Sequence, residues 1–133
     1  RDITRPPTMM HRKKILIVDP SPNFLRQLKE TIETHETLVD VSAAPDAERA
    51  REVLRKHLPD VAFIEVEMPL DEGLALIRSI RRLAPDSRIV VLTANTSEDC
   101  RTQSLEQGAD DHLLKEAVTG IRLVDFIHEI IRR

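Results

Sequence analysis

Four short runs set the terms on which this chain can fold: Ile15-Leu16-Ile17-Val18, Val61-Ala62-Phe63-Ile64, Ile89-Val90-Val91-Leu92 and His112-Leu113-Leu114. The first is too short for a helix and rich in β-branched residues, so it reads as a strand. The second and third are apolar at every position, as expected of strands covered on both faces of a parallel sheet. Each run hands over to a polar residue at its carboxyl end: Asp19, Glu65, Thr93 and Lys115. In an open parallel sheet that edge is where sites form. Two acids, a hydroxyl and a lysine gathered there make a constellation suited to anions or phosphoryl groups.

Helical stripes fill the intervals. Ser21-Pro22 reads as N-cap and first helical residue, with Phe24, Leu25, Leu28 and Ile32 following at helical spacing. Leu38–Ala43 alternates weakly, as an edge strand would. Pro45 opens a helix in which Ala47, Ala50, Val53 and Leu54 share a face, and Pro59-Asp60 ends it. Leu74, Ile77, Ile80 and Leu83 form a third stripe. Thr96-Ser97-Glu98-Asp99 has the form of a capping box, and Gly108 suits the residue that closes that helix. Ile121, Val124, Ile127, Ile130 and Ile131 mark a last amphipathic helix. Strands that alternate with helices predict an α/β doubly wound sheet with right-handed crossovers.

Composition narrows the function classes. The 133 residues suit one domain, read here as 12–133, preceded by a flexible tail over residues 1–11. A net charge of −3 with dispersed Lys and Arg gives no electrostatic case for nucleic-acid binding by this segment. The chain has no Trp or Tyr, so stacking on bases is poorly supplied. No apolar run spans a bilayer and no signal-peptide core is present, so no membrane role is expected. A single cysteine, Cys100, excludes an internal disulfide and makes the cytoplasm the expected compartment.

Five segments in order carry a family resemblance: Lys14-Ile15-Leu16-Ile17-Val18-Asp19-Pro20-Ser21-Pro22, Pro59–Pro69 with its Glu65-Val66-Glu67-Met68-Pro69 ending, Asp71-Glu72-Gly73-Leu74, Val90-Val91-Leu92-Thr93-Ala94, and Gly108–Lys115. Together they resemble the receiver domain of two-component response regulators, over nearly all of the chain from Lys13. The resemblance implies a CheY-like, flavodoxin-like three-layer α/β/α fold with strand order 2-1-3-4-5. It also implies an acidic cluster at Asp19, a phosphoacceptor position at Glu65, and switch or phosphate-contact positions at Thr93, Ala94, His112 and Lys115.

The departures from that pattern matter more. The second acid of the expected acidic pair is Pro20, the phosphoacceptor aspartate is Glu65, and the proline expected after the lysine is Glu116. Magnesium takes one or two carboxylates with near-octahedral oxygen geometry. Only Asp19, Glu65 and the Glu67 backbone carbonyl are left to hold it, so it binds weakly if at all and no cofactor is expected. Glu65 reaches one methylene further than aspartate, and a 1 Å misplacement of an attacking atom costs on the order of 100-fold. The longer carboxylate is instead expected to reach towards Lys115 and Thr93, as a partial imitation of a phosphorylated aspartate. Because a cis bond before a non-proline costs about 3–4 kcal/mol, the Lys115–Glu116 peptide is expected to be trans, with a displaced loop after the fifth strand.

The resulting expectation is a degenerate receiver: not an enzyme, but a protein-interaction module independent of phosphorylation. The resemblance implies a partner or effector surface on the fourth helix, fifth strand and fifth helix, with homodimerisation through it. The alternatives are a working receiver with altered magnesium dependence, an acidic edge that holds a small ligand or metal, and the regulatory part of a larger transcriptional regulator. At the residue level Asp19 as an N-cap, Glu65 simply paired with Lys115, and Thr93 bonded to backbone also stay open. His112 is expected to pack half-exposed, Glu67 to be a solvated rim acid, and His11, His35, His57 and His128 do not cluster. Cys100 has no histidine near it in sequence, so a nucleophile is not expected.

Overall fold

The computed structural model describes residues 12–95, 97–118 and 120–132. The reading of residues 1–11 as a tail, and the parts given to His11 and Thr96, fall outside them. The strands are β1 (Lys13–Val18), β2 (Val39–Ala44), β3 (Val61–Ile64), β4 (Arg88–Thr93) and β5 (Asp111–Leu114). The helices are α1 (Pro22–His35), α2 (Ala47–Lys56), α3 (Leu70–Leu83), α4 (Glu98–Gln107) and α5 (Gly120–Arg132), with a short 3-10 turn at Lys115–Ala117. All four pairings are parallel and the sheet order is β2-β1-β3-β4-β5, the order the resemblance implies.

Residue alternation along the strands divides the core in two. Ile15 and Ile17 of β1, Val61 and Phe63 of β3, and Val90 and Leu92 of β4 pack with Leu28 and Ile32 of α1 and Ile127, Ile130 and Ile131 of α5. The intervening residues, Leu16, Val18, Ala62, Ile64, Ile89 and Val91, pack with Ala50 and Leu54 of α2, Leu76, Ile77 and Ile80 of α3, and Cys100 of α4. The sheet is therefore covered on both faces, as the unbroken apolar runs require.

Local chemistry sets the helix ends. Ser21 caps α1, its hydroxyl accepting from Phe24 N, and Pro22 opens the helix. Asp46 caps α2, so that helix starts two residues later than Pro45. Ser97 caps α4 by accepting from Cys100 N, which moves the capping role one residue beyond the Thr96 to Asp99 frame. Gly108 ends α4 at φ +121, a conformation only glycine adopts freely. Gly73 lets α3 lie against the chain leaving β3, because a Cβ there would run into the Val66 carbonyl. Two stripe members leave the core: Leu83 and Ile121 are exposed, Ile121 to 81%.

Candidate functional site: an ion triad at the carboxyl edge

Asp19 and Glu65 lie one residue past β1 and β3, and both stay tied to the sheet. Asp19 N donates to Ala44 O at 3.1 Å and Glu65 N to Val18 O at 2.8 Å. Both residues are buried, at 1% and 7% exposure. Strand alternation gives them the phase of Ile15 and Ile17 and of Val61 and Phe63, hence the side of the sheet that α1 and α5 cover. Lys115 follows β5 with the phase of Leu113, on the same side.

The three charges meet. Lys115 Nζ lies 2.5 Å from Asp19 Oδ2 and 3.2 Å from Glu65 Oε1. The remaining oxygens are held by backbone: Asp19 Oδ1 accepts from Ser21 N at 2.8 Å, and Glu65 Oε2 accepts from Glu67 N at 3.1 Å. Asp19 thus belongs to the acidic cluster rather than capping α1, a role Ser21 takes. Asp19 Oδ2 is buried without a well-angled hydrogen bond, so the ammonium is its counter-charge. A buried carboxylate left without a cation would be strongly disfavoured.

Thr93 departs from the expectation. It is fully buried, and its hydroxyl accepts from Asn95 N at 3.1 Å, with no hydrogen bond to Glu65. Thr93 has the phase of Ile89 and Val91, which pack towards α2, α3 and α4. The sheet itself turns it away from the side that holds the triad. Ala94 is exposed beside it, and Glu67 is an exposed rim acid.

His112 is half-buried, and its Nε2 lies 3.6 Å from Cys100 Sγ. The missing histidine partner of Cys100 thus comes from β5, which alternation points at α4. Burial pushes the Cys100 thiol up, and burial, followed by the nearby Arg101 charge, pushes His112 down. The pair is therefore a neutral thiol on a neutral imidazole, the reverse of an activated thiolate.

The Lys115–Glu116 peptide is trans, and the chain continues through the 3-10 turn with Val118 N donating to Lys115 O. A hollow of about 670 Å³ lies between α1 and this turn, lined by Phe24, Leu28, Thr31, Lys115, Val118 and Leu123 among others. The ring of Phe24 sits under the ammonium, with its centroid 4.5 Å from Nζ. Sequence reasoning missed that contact and also the buried Glu36, whose carboxylate meets His128 at 3.0 Å and Arg132 at 3.4 Å. Neither leaves a sequence signal, since each joins segments distant along the chain. The apolar stripe of α5 gives the expected partner face little support. Ile127, Ile130 and Ile131 are core, while exposed Ile121 lines a second hollow with Thr31 and His35 of α1.

Few side-chain donors are left for a divalent cation at this edge. Position 20 is proline, an ammonium already touches one oxygen of each carboxylate, and no group of three or more candidate ligands gathers among the described residues. No helix among the described residues is long and apolar enough to cross a membrane.

Known proteins answer to this arrangement. The model of the response regulator receiver domain matches residues 15–127. A protein-glutamate methylesterase/protein-glutamine glutaminase of Vibrio vulnificus is 35% identical over 114 residues, which are 84% of this chain and 33% of that protein. The transcriptional regulatory protein PrrA of Mycobacterium tuberculosis is 29% identical over 120 residues, 90% of this chain and 50% of PrrA. The chain therefore spans a third to a half of the length of these curated relatives. A crystal structure of a response regulator protein from Burkholderia pseudomallei, with a phosphorylated aspartic acid, a calcium ion and citrate, superposes at a TM-score of 0.76 and 26% identity, covering 89% of this chain and 65% of that one. With the sheet order, the carboxyl-edge acids and the family model in agreement, this chain belongs to the response regulator receiver domains.

Proposed function

We propose that this receiver domain is a pseudo-receiver, a protein-interaction module whose output does not depend on aspartyl phosphorylation. One observation carries the reading: the Lys115 ammonium lies against both buried carboxylates, 2.5 Å from Asp19 and 3.2 Å from Glu65. Phosphoryl transfer needs a carboxylate oxygen free to attack in line, and tolerates little misplacement. Here Glu65 Oε1 faces the ammonium and Oε2 accepts a backbone N–H. The ammonium also neutralises charge that a metal would otherwise have to offset, so magnesium binds weakly if at all. The named relative from Burkholderia carries its phosphoryl group on an aspartic acid; in this chain Glu65 stands as a fixed anion, with one charge in place of nearly two.

On this reading the domain signals through its surface. Its partner face is the edge formed by α4, β5 and α5, where Leu114 and the polar face of α4 are exposed, and a second copy of the chain is a natural occupant. Its relatives are named for a methylesterase and glutaminase activity or for transcriptional regulation, so in its parent chain the domain would govern an attached effector while performing no catalysis itself. A cytoplasmic setting fits the single buried thiol.

The test is intact-mass spectrometry after incubation with acetyl phosphate and magnesium, on the parent chain and on the double variant Pro20→Asp with Glu65→Asp. The parent is expected to gain no phosphoryl mass, and the double variant to gain one phosphoryl group only when magnesium is present. A stoichiometric gain on Glu65 of the parent would overturn the proposal and favour a working receiver.

A further inference from the structure

The chain holds three phenylalanines and neither tryptophan nor tyrosine. Two of the rings, buried Phe63 and partly buried Phe126, pack edge to face, 6.3 Å apart. The third, Phe24, is half-buried on the first turn of α1, with its centroid 4.5 Å from Lys115 Nζ. The α1 cap fixes its place: Phe24 N donates to Ser21 Oγ at 3.2 Å, and Ser21 N donates to Asp19 Oδ1 at 2.8 Å. One short segment thus sets both a carboxylate and an aromatic face around the same ammonium. A lysine side chain loses rotamer freedom when held in one geometry, which counts against a salt bridge unless something else holds it. An aromatic face does so, by attracting the cation and excluding water from one side of it.

We propose that Phe24 is a positioning residue for Lys115, the back wall that keeps the ammonium between Asp19 and Glu65. The inference rests on the ion-pair reading of the site and adds what holds the cation there. It also gives the hollow between α1 and the 3-10 turn a consequence. Phe24 and Lys115 both line it, so a body seated there touches both members of the clasp.

The experiment is ¹⁵N NMR of lysine side-chain ammonium groups in the whole chain, comparing the parent with Phe24→Leu and Phe24→Tyr. Leucine keeps an apolar side chain at this half-buried position but has no aromatic face; tyrosine keeps the face. In the parent the Lys115 ammonium is expected to exchange its protons slowly. Exchange should quicken roughly two- to fivefold in Phe24→Leu, the range a partly exposed cation–π contact supports, and return to the parent rate in Phe24→Tyr. Equal protection in the parent and in Phe24→Leu would overturn this proposal alone. A Lys115 ammonium in free exchange in the parent would overturn the ion pair itself, and the role of Phe24 with it.

Discussion

Lys115 carries the charge on which two buried acids depend, so its removal should alter what the site can hold. Replacing it with methionine keeps much of the stem and removes the ammonium, leaving Asp19 Oδ2 without a cation in a site that is 1% exposed. Breaking a fully buried pair costs about 3–5 kcal/mol; because the lysine side chain is 21% exposed, about 2 kcal/mol is expected. The freed oxygens should then accept magnesium. Lys115→Met is expected to gain about 1.4 kcal/mol for each tenfold rise in magnesium above its dissociation constant, while the parent stays flat in the same urea titrations. A variant as stable as the parent and blind to magnesium would mean that the acids do not need the ammonium. Asp19, Glu65 and Lys115 were legible in the sequence because each follows a strand run directly. Thr93 follows one too, yet its hydroxyl accepts from Asn95 N instead of meeting Glu65, and it has the strand phase of Ile89 and Val91. Its run, Ile89 to Leu92, is apolar at every position, and a strand buried on both faces leaves no polar and apolar alternation from which to read which way the next residue points.

Among the α-helices, α4 is the one held least by apolar burial. Its sequence, Glu98 to Gln107, buries only Cys100 and Ser104, whereas α3 buries Leu76, Ile77 and Ile80 along with Gly73 and Ser79. Each fully buried leucine or isoleucine contributes about 1.5–3 kcal/mol, so α3 has several kilocalories of anchorage that α4 lacks. Native-state hydrogen exchange is therefore expected to release the α4 amides at least about tenfold sooner than those of α3, through local opening rather than global unfolding. Exchange of α4 and α3 in step would refute this. Such a helix, at the edge of the sheet beside β5, is the element a partner could shift most readily. Periodicity in the sequence located α1, α3 and α5, because an apolar stripe repeats there. The same logic offers α4 only its caps: Gly108 does close the helix, while the N-cap falls one residue past the start of the Thr96 frame, because the side chain that bonds Cys100 N belongs to Ser97. At the start of α5 spacing and burial part: Ile121 keeps the helical spacing but is 81% exposed.

For the molecule as a whole, three groups with displaced protonation define a pH range of greatest stability. Burial pushes His112 below its ordinary value of 6.5. The unfolded chain therefore takes up a proton near pH 6.5 that the folded chain resists, so the stability tied to His112 is full above that pH and declines as pH falls towards the folded value. Hydrogen bonds from Lys14 and Arg12 hold Asp40 below its ordinary 3.8, which adds a further decline in stronger acid. Burial pushes the Cys100 thiol above its ordinary 9.0. There the sign reverses: the unfolded thiol ionises first, so its contribution is full below pH 9 and is lost as pH rises. Stability from these groups should thus level off between about pH 6.5 and about pH 9. Denaturant titrations across that range and on both sides of it, compared with variants, separate their parts from those of other titrating residues. His112→Gln is expected to flatten the decline just below pH 6.5 while leaving the alkaline side unchanged, and Cys100→Ala to do the opposite. The two side chains touch at 3.6 Å, so the double variant should fall short of the sum of the singles. Additive effects, or an acid decline in His112→Gln as steep as in the parent, would show that the thiol and imidazole do not form the neutral pair that joins α4 to β5.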